Sequence, residues 1–236
     1  MDNARQSQPI PSGRPARLWL VRHGQTDWNA QRRIQGHTPT ELNEVGRQQA
    51  AKLALWFGRR SFHAVWSSDL PRASQTAEPI AAALGLTVCT TPLLRERNLG
   101  PYEGKTWDEV SAMRSGLPGV NGTQQGDLAD WTGVPHVESD QTLWHRIRDC
   151  LTDISQKHAD QNVLIITHGG VIKHSVWHIL GLPAGAPRRF PLANGITAVV
   201  QERPDGFYLL SLFDTALIDG ETSAADTASA IAAPSA

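Results

Sequence analysis

Two periods of apolar residues run through the chain. Short, wholly apolar runs at 18–21 (Leu, Trp, Leu, Val) and 163–166 (Val, Leu, Ile, Ile) read as buried central strands. Other stretches repeat at helical spacing. Val45, Gln49, Leu53 and Phe57, with Ala50 and Ala54, predict an amphipathic helix that starts after Asn43 as N-cap and ends near Arg60. Ala73, Ala77, Ile80, Ala81 and Leu84 predict a second helix, with Asp69 as its cap, Pro71 in its first turn and Gly85 as its stop. Leu143, Ile147, Cys150, Leu151 and Ile154 mark a longer helix ending near His158, and a further helix runs from Gly169 to about Leu180. Shorter strands are expected at 64–66 and 86–90. The runs 196–202 and 207–213 flank Arg203-Pro204-Asp205-Gly206 as a hairpin. Thr106 and Glu109 have capping-box spacing for a short helix to about Met113.

Strands that alternate with helices predict an α/β fold. The expected architecture is a three-layer sandwich, its mostly parallel central sheet flanked by helices on both faces, with a loop and helix cap insertion at about 100–138. Within that insertion, 115–137 is rich in Gly and Pro and reads as a surface segment, a candidate lid. Residues 1–15 read as a disordered arm and 219–236 as a low-complexity tail, leaving 16–218 as one domain.

Composition narrows the function. A formal charge of −1 over 236 residues gives no global attraction to nucleic acid or to an anionic membrane, so any anion must be held by a local pocket. No apolar run approaches the length of a membrane span. The N-terminus is polar and Pro-rich without a secretory core. Two distant cysteines, Cys89 and Cys150, make neither a disulfide framework nor a metal motif; this fits a cytoplasmic protein.

Both strongly apolar strands end in a histidine followed by glycine, His23-Gly24 and His168-Gly169. If these strands are neighbours, both imidazoles stand at the carboxyl edge of the sheet, where α/β proteins bind ligands. Arg22 precedes the first histidine, and Arg72 sits in the first turn of the helix after Ser67-Ser68-Asp69. Two guanidiniums beside two imidazoles suit a phosphoryl group. His23 is then a candidate nucleophile. A carboxyl group must protonate the leaving alcohol, and 93–104 offers two, Glu96 and Glu103, which the residues alone do not separate. His174 and His178, four apart on one helix, lack the further ligands of a zinc site and are read as packing or surface residues.

At this point the chain resembles the histidine phosphatase superfamily, also called the phosphoglycerate mutase-like family. Six blocks carry the resemblance in order: Arg22-His23-Gly24 with Thr26 and Asn29; Arg32-Arg33-Ile34-Gln35-Gly36; Ser67-Ser68-Asp69-Leu70 with Arg72, Ala73 and Thr76; Leu94, Glu96, Gly100, Glu103 and Gly104; Glu138-Ser139 with Arg146; and Thr167 through Ile172. The resemblance implies that His23 is phosphorylated, that Arg22, Arg72 and His168 bind the phosphoryl group, and that Glu96 rather than Glu103 is proton donor and acceptor. It also implies that Asn29, Gln35, Gly36 and the Gly169 backbone complete the pocket, with no metal or cofactor. The chain departs from the pattern at Pro39, Glu41, Leu42 and Asn43, at Tyr102 where tryptophan is common, and at Leu217 where histidine is common.

The leading expectation is a phosphomonoesterase acting on small phosphorylated metabolites. The 72-residue interval from Glu96 to His168 resembles the shorter phosphatase members, whereas family mutases carry a longer insertion and a closing tail. A phosphoglycerate mutase-type isomerase is the alternative, and a non-catalytic phosphate-binding protein the second. Neither the natural substrate nor the oligomeric state is legible in the sequence.

Overall fold

The computed structural model describes residues 14–114, 134–183 and 188–215. Most of the expected arm and lid and the expected tail therefore lie outside the described residues; Arg14 and Pro15, counted in the expected arm, are instead bonded to Asp160 and Gln201. The elements follow in the order β1 (Arg17–Arg22), α1 (Asp27–Ala30), α2 (Glu44–Phe57), β2 (Ala64–Ser68), α3 (Pro71–Leu84), β3 (Val88–Thr91), α4 (Trp107–Arg114), α5 (Asp140–Lys157), β4 (Asn162–Thr167), α6 (Gly169–Ile179), β5 (Ile196–Arg203) and β6 (Gly206–Asp214).

The strands form one sheet in the order β3-β2-β4-β1-β5-β6. β3, β2, β4 and β1 run parallel, and β5 and β6 add an antiparallel hairpin at one side. Side chains alternate across β4. Val163 and Ile165 pack with Leu18 and Leu20 against α5 and α6, while Leu164 and Ile166 pack with Val21 against α2 and α3. Burial on both faces explains why these strands read as continuous apolar runs. The α/β class, the mostly parallel sheet and helices on both faces are as the periodicity predicts.

Helix ends follow local chemistry. The Asn43 side chain accepts from Gly46 N, and Gly85 closes α3 at φ 67°, a left-handed conformation that favours glycine. Thr106 and Glu109 form the predicted capping box before α4. Asp69 does not cap α3. Leu70 holds that position without a side-chain bond, because the Asp69 carboxylate is taken by a bidentate pair with Arg95 at 2.6 and 2.7 Å. The stretch after β1, read from sequence as loop, contains the single-turn α1, closed by a reciprocal Thr26–Asn29 capping box.

A small third cluster of Ile34, Leu99, Tyr102 and Val110 seats the cap region. Backbone bonds between Ile34 and residues 104 and 105 tie it to the loop after α1.

Candidate active site

The register of the sheet builds the site. Arg22 of β1 lies opposite Thr167 of β4, and the His23 amide donates to the Thr167 carbonyl at 3.0 Å. His23 and His168 thus leave adjacent parallel strands side by side, with ring centroids 5.1 Å apart. β2 ends beside them, and its Ser68 hydroxyl lies 2.8 Å from His168 Nε2. The chain then leaves β1 through a tight passage. A Cβ at Gly24 would lie 2.6 Å from the Gly46 carbonyl oxygen, so only glycine lets β1 run directly onto the first turn of α2. The Gly24 amide donates to Thr76 Oγ1 of α3 at 3.0 Å, which fixes this turn from the other side.

Hydrogen bonding sets the state of His23. Its Nδ1 lies 2.6 Å from the Gly24 carbonyl, and a carbonyl only accepts. Nδ1 therefore carries the proton and Nε2 presents a lone pair. Burial, then the charges of Arg72 and Arg22, hold the His23 pKa well below the usual imidazole value. His168 is held down likewise, by burial first and then by Arg72, His23, Arg22 and His37. Both rings are neutral near pH 7.

Two guanidiniums frame this pair. Arg72 is fully buried and donates through Nη1 to the Thr38 carbonyl at 2.9 Å and through Nη2 to the Gly36 carbonyl at 2.8 Å. Arg22 donates through Nη1 to the Leu192 carbonyl. Burial lowers both pKa values to about 10, so both groups remain cationic. Arg22 Nε, Arg72 Nε and His168 Nδ1 are buried without partners. Unsatisfied buried polar groups are costly, and an anion placed among them would accept from the two guanidinium Nε–H groups, and from His168 in the tautomer with its proton on Nδ1.

The structure separates the two carboxylates. Glu96 Oε1 accepts from the Arg97 amide at 2.8 Å, and Oε2 accepts from the Gly170 amide in the first turn of α6 at 2.9 Å. Its charge acts on both Arg22 and Arg72. A Cβ at Gly170 would overlap this carboxylate, so glycine there admits Glu96 to the helix end. Glu103 is saturated instead. It accepts from the amides of His37 and Thr38 at 2.9 Å, from the Thr38 hydroxyl at 2.6 Å and from the Leu99 amide at 3.2 Å. It organises the loop whose carbonyls hold Arg72. Glu103→Gln turns an acceptor into a donor facing these N–H groups. The expected loss is about 2–3 kcal/mol of unfolding free energy, measured in urea. A loss within error of zero would count against this role.

The other predicted residues are placed as follows. Gly36 takes φ 51°, a Cβ there would overlap the Glu103 carboxylate, and its carbonyl anchors Arg72. Gly169 opens α6, where a Cβ would lie 3.3 Å from Arg22 Nε. Gln35 and Asn29 have their side-chain oxygens committed to the loop. Gln35 Oε1 accepts from the Thr26 and Thr40 hydroxyls at 3.0 and 2.5 Å, and Asn29 Oδ1 accepts from the Thr26 amide at 3.1 Å. His174 accepts from Arg97, and His178 stacks flat on Trp144 with centroids 4.5 Å apart. Among the described residues no group of three or more His, Cys, Asp or Glu side chains is arranged to hold a metal, and no helix is long and apolar enough to cross a membrane.

Three contributors escaped the sequence reading. His37 Nε2 lies 2.8 Å from the Glu96 carbonyl, Asn194 donates to the His23 carbonyl at 2.8 Å, and the charge of Arg188 acts on Arg22. His37 directly follows Gln35-Gly36, the one signal that would have pointed to it. The 188–195 segment carries no pattern that places it beside β1.

Comparison with known proteins places the chain in a family. The family model described as "Histidine phosphatase superfamily (branch 1)" matches residues 18–215. A probable phosphoglycerate mutase, GpmB, from Yersinia pestis is 37% identical over 211 residues, covering 86% of this chain and 94% of that protein. A mycobacterial glucosyl-3-phosphoglycerate phosphatase solved with VO3 superposes with a TM-score of 0.70 at 31% identity, covering 84% of this chain and 99% of the other. A phosphoserine phosphatase variant from Entamoeba histolytica, in complex with phosphoserine, gives 0.68 at 28% identity over 84% and 96%. With a family match along nearly the whole described fold, the chain belongs to the histidine phosphatase superfamily.

Proposed function

We propose that the protein is a phosphomonoesterase that works through a phosphohistidine at His23. The observation that carries this reading is the His23 Nδ1 bond to the Gly24 carbonyl, which leaves Nε2 unprotonated among unpartnered cationic donors. In the first step the Nε2 lone pair attacks phosphorus. The P–N bond forms as the P–O bond to the leaving alcohol breaks, and Glu96 gives that oxygen a proton. Arg22, Arg72 and His168 stabilise the oxygens of the transferring group. In the second step Glu96 takes a proton from water, the water oxygen attacks phosphorus, and the P–N bond breaks to free inorganic phosphate and neutral His23.

The mutase reading differs only in the second acceptor, a bound alcohol in place of water. The Yersinia relative's name favours it; the phosphatase names of the superposed structures favour hydrolysis. One incubation separates them. Purified protein receives 3-phosphoglycerate with a bisphosphoglycerate primer, and separately a panel of phosphomonoesters. Release of inorganic phosphate from the panel is expected. Isomerisation without net phosphate release would replace this reading with the mutase.

A further inference from the structure

We propose that Arg97 is the positioning residue for Glu96, and that its buried contacts with Asp140 and His174 set where that carboxyl stands. This rests on the reading of Glu96 as the proton donor.

Glu96 and Arg97 are consecutive and grip the same helix at two points. Glu96 meets α6 at the Gly170 amide, and Arg97 Nη2 meets it at His174 Nε2, 2.7 Å away. Gly170 and His174 are four residues apart, so they share one face, one turn along the axis. The Arg97 backbone amide in turn holds Glu96 Oε1 at 2.8 Å. The guanidinium therefore fixes how far along α6 the Glu96 segment sits, and so where its carboxyl lies relative to the helix end and His168. Asp140, in the first turn of α5, forms an ion pair with the same Nη2 and ties the assembly to a second helix.

The chemistry of this cluster argues against simple packing. Arg97 is only 4% exposed, and its Nη1 is buried with no partner among the described residues. His174 accepts from a guanidinium, so the ring is neutral with its proton on Nδ1; burial, Lys173 and Arg97 all push its pKa down. A charge buried with an unmet donor is a poor route to stability, since an apolar side chain of similar volume avoids the desolvation. What the guanidinium provides, and an apolar residue does not, is one defined position bonded to two helices.

The test uses the full chain with R97M/D140N, which removes both charges together and so avoids leaving one stranded, with R97K as a second variant. E96Q runs in parallel. Turnover is followed on an aryl phosphate, whose alcohol leaves without much help, and on an alkyl phosphate, whose alcohol needs a proton. If Arg97 positions Glu96, kcat for the alkyl ester falls about tenfold further than kcat for the aryl ester, with KM changed less than about twofold. R97K, which keeps the charge, recovers part of that difference. Equal losses on both esters, or a change confined to KM, with thermal midpoints showing folded protein, would overturn the proposal. If E96Q itself shows no leaving-group dependence, the assignment of Glu96 fails and this inference with it. If E96Q shows the dependence and the Arg97 variants do not, only this inference fails.

Discussion

His23→Ala is expected to lower turnover of any phosphomonoester substrate by on the order of 10⁴-fold, with no phosphoenzyme trapped on rapid quenching in base, where phosphohistidine survives. The reason is local. The side chain removed is the imidazole whose Nε2 is left unprotonated by the Nδ1 bond to the Gly24 carbonyl, beside two arginines that can only donate. The cavity left is small and lined by cations, so the phosphate ester still binds; the loss should appear in kcat far more than in KM. The wild-type pH profile carries a matching sign. A nucleophilic imidazole is active when unprotonated, and the His23 pKa is held well below 6.5 by burial and by Arg72 and Arg22. The acid limb of kcat/KM should therefore fall below pH 6.5, not at it. A variant that hydrolyses within tenfold of the parent would remove His23 from the role of nucleophile.

Stability should fall steeply on mild acidification. His23, His168 and His174 are at most 3% exposed, and each has its pKa pushed well below the ordinary value of about 6.5. In the unfolded chain these rings take up protons as pH drops through about 6.5, while in the folded protein they stay neutral. Stability from keeping them neutral is thus complete above the unfolded pKa and is lost as pH falls toward the folded values. Each contributes a slope of about 1.4 kcal/mol per pH unit, or about 4 for the three together. Urea unfolding at pH 7.5, 6.5 and 5.5 reads this directly. His174→Asn, which keeps an acceptor for Arg97, should remove about a third of the slope. A bound phosphate analogue should flatten the curve. An unfolding free energy unchanged between pH 6.5 and 5.5 would contradict the burial of three neutral imidazoles.

Much of the molecule was legible because its local signals agree with its tertiary structure. The apolar runs became β1 and β4 because both faces of those strands are covered by helices. Asn43, Gly85 and the Thr106–Glu109 pair kept their expected places because capping is settled within four residues of chain. Asp69 failed as a cap for the opposite reason. Its carboxylate had a competing partner, Arg95, 26 residues away, and a bidentate ion pair outweighs one cap bond. The third strand begins two residues later than expected and ends one later, at Val88–Thr91, since its limits are set by pairing with β2.

The sequence by itself determined the alternation of strands and helices, the two His-Gly strand ends and the residue types gathered in each block. These depend on periodicity and on chemistry within a few positions. Only the tertiary structure decided which atoms meet. It put β4 beside β1 in register, gave His23 the tautomer with a free Nε2, and divided two similar carboxylates. Glu103 went to four donors in a loop, and Glu96 to the start of α6. The register and the division of the carboxylates turn on contacts between residues tens of positions apart, and the His23 tautomer on the carbonyl of the next residue, Gly24, whose amide is held from α3 by Thr76. A linear pattern of residue types carries no record of such contacts.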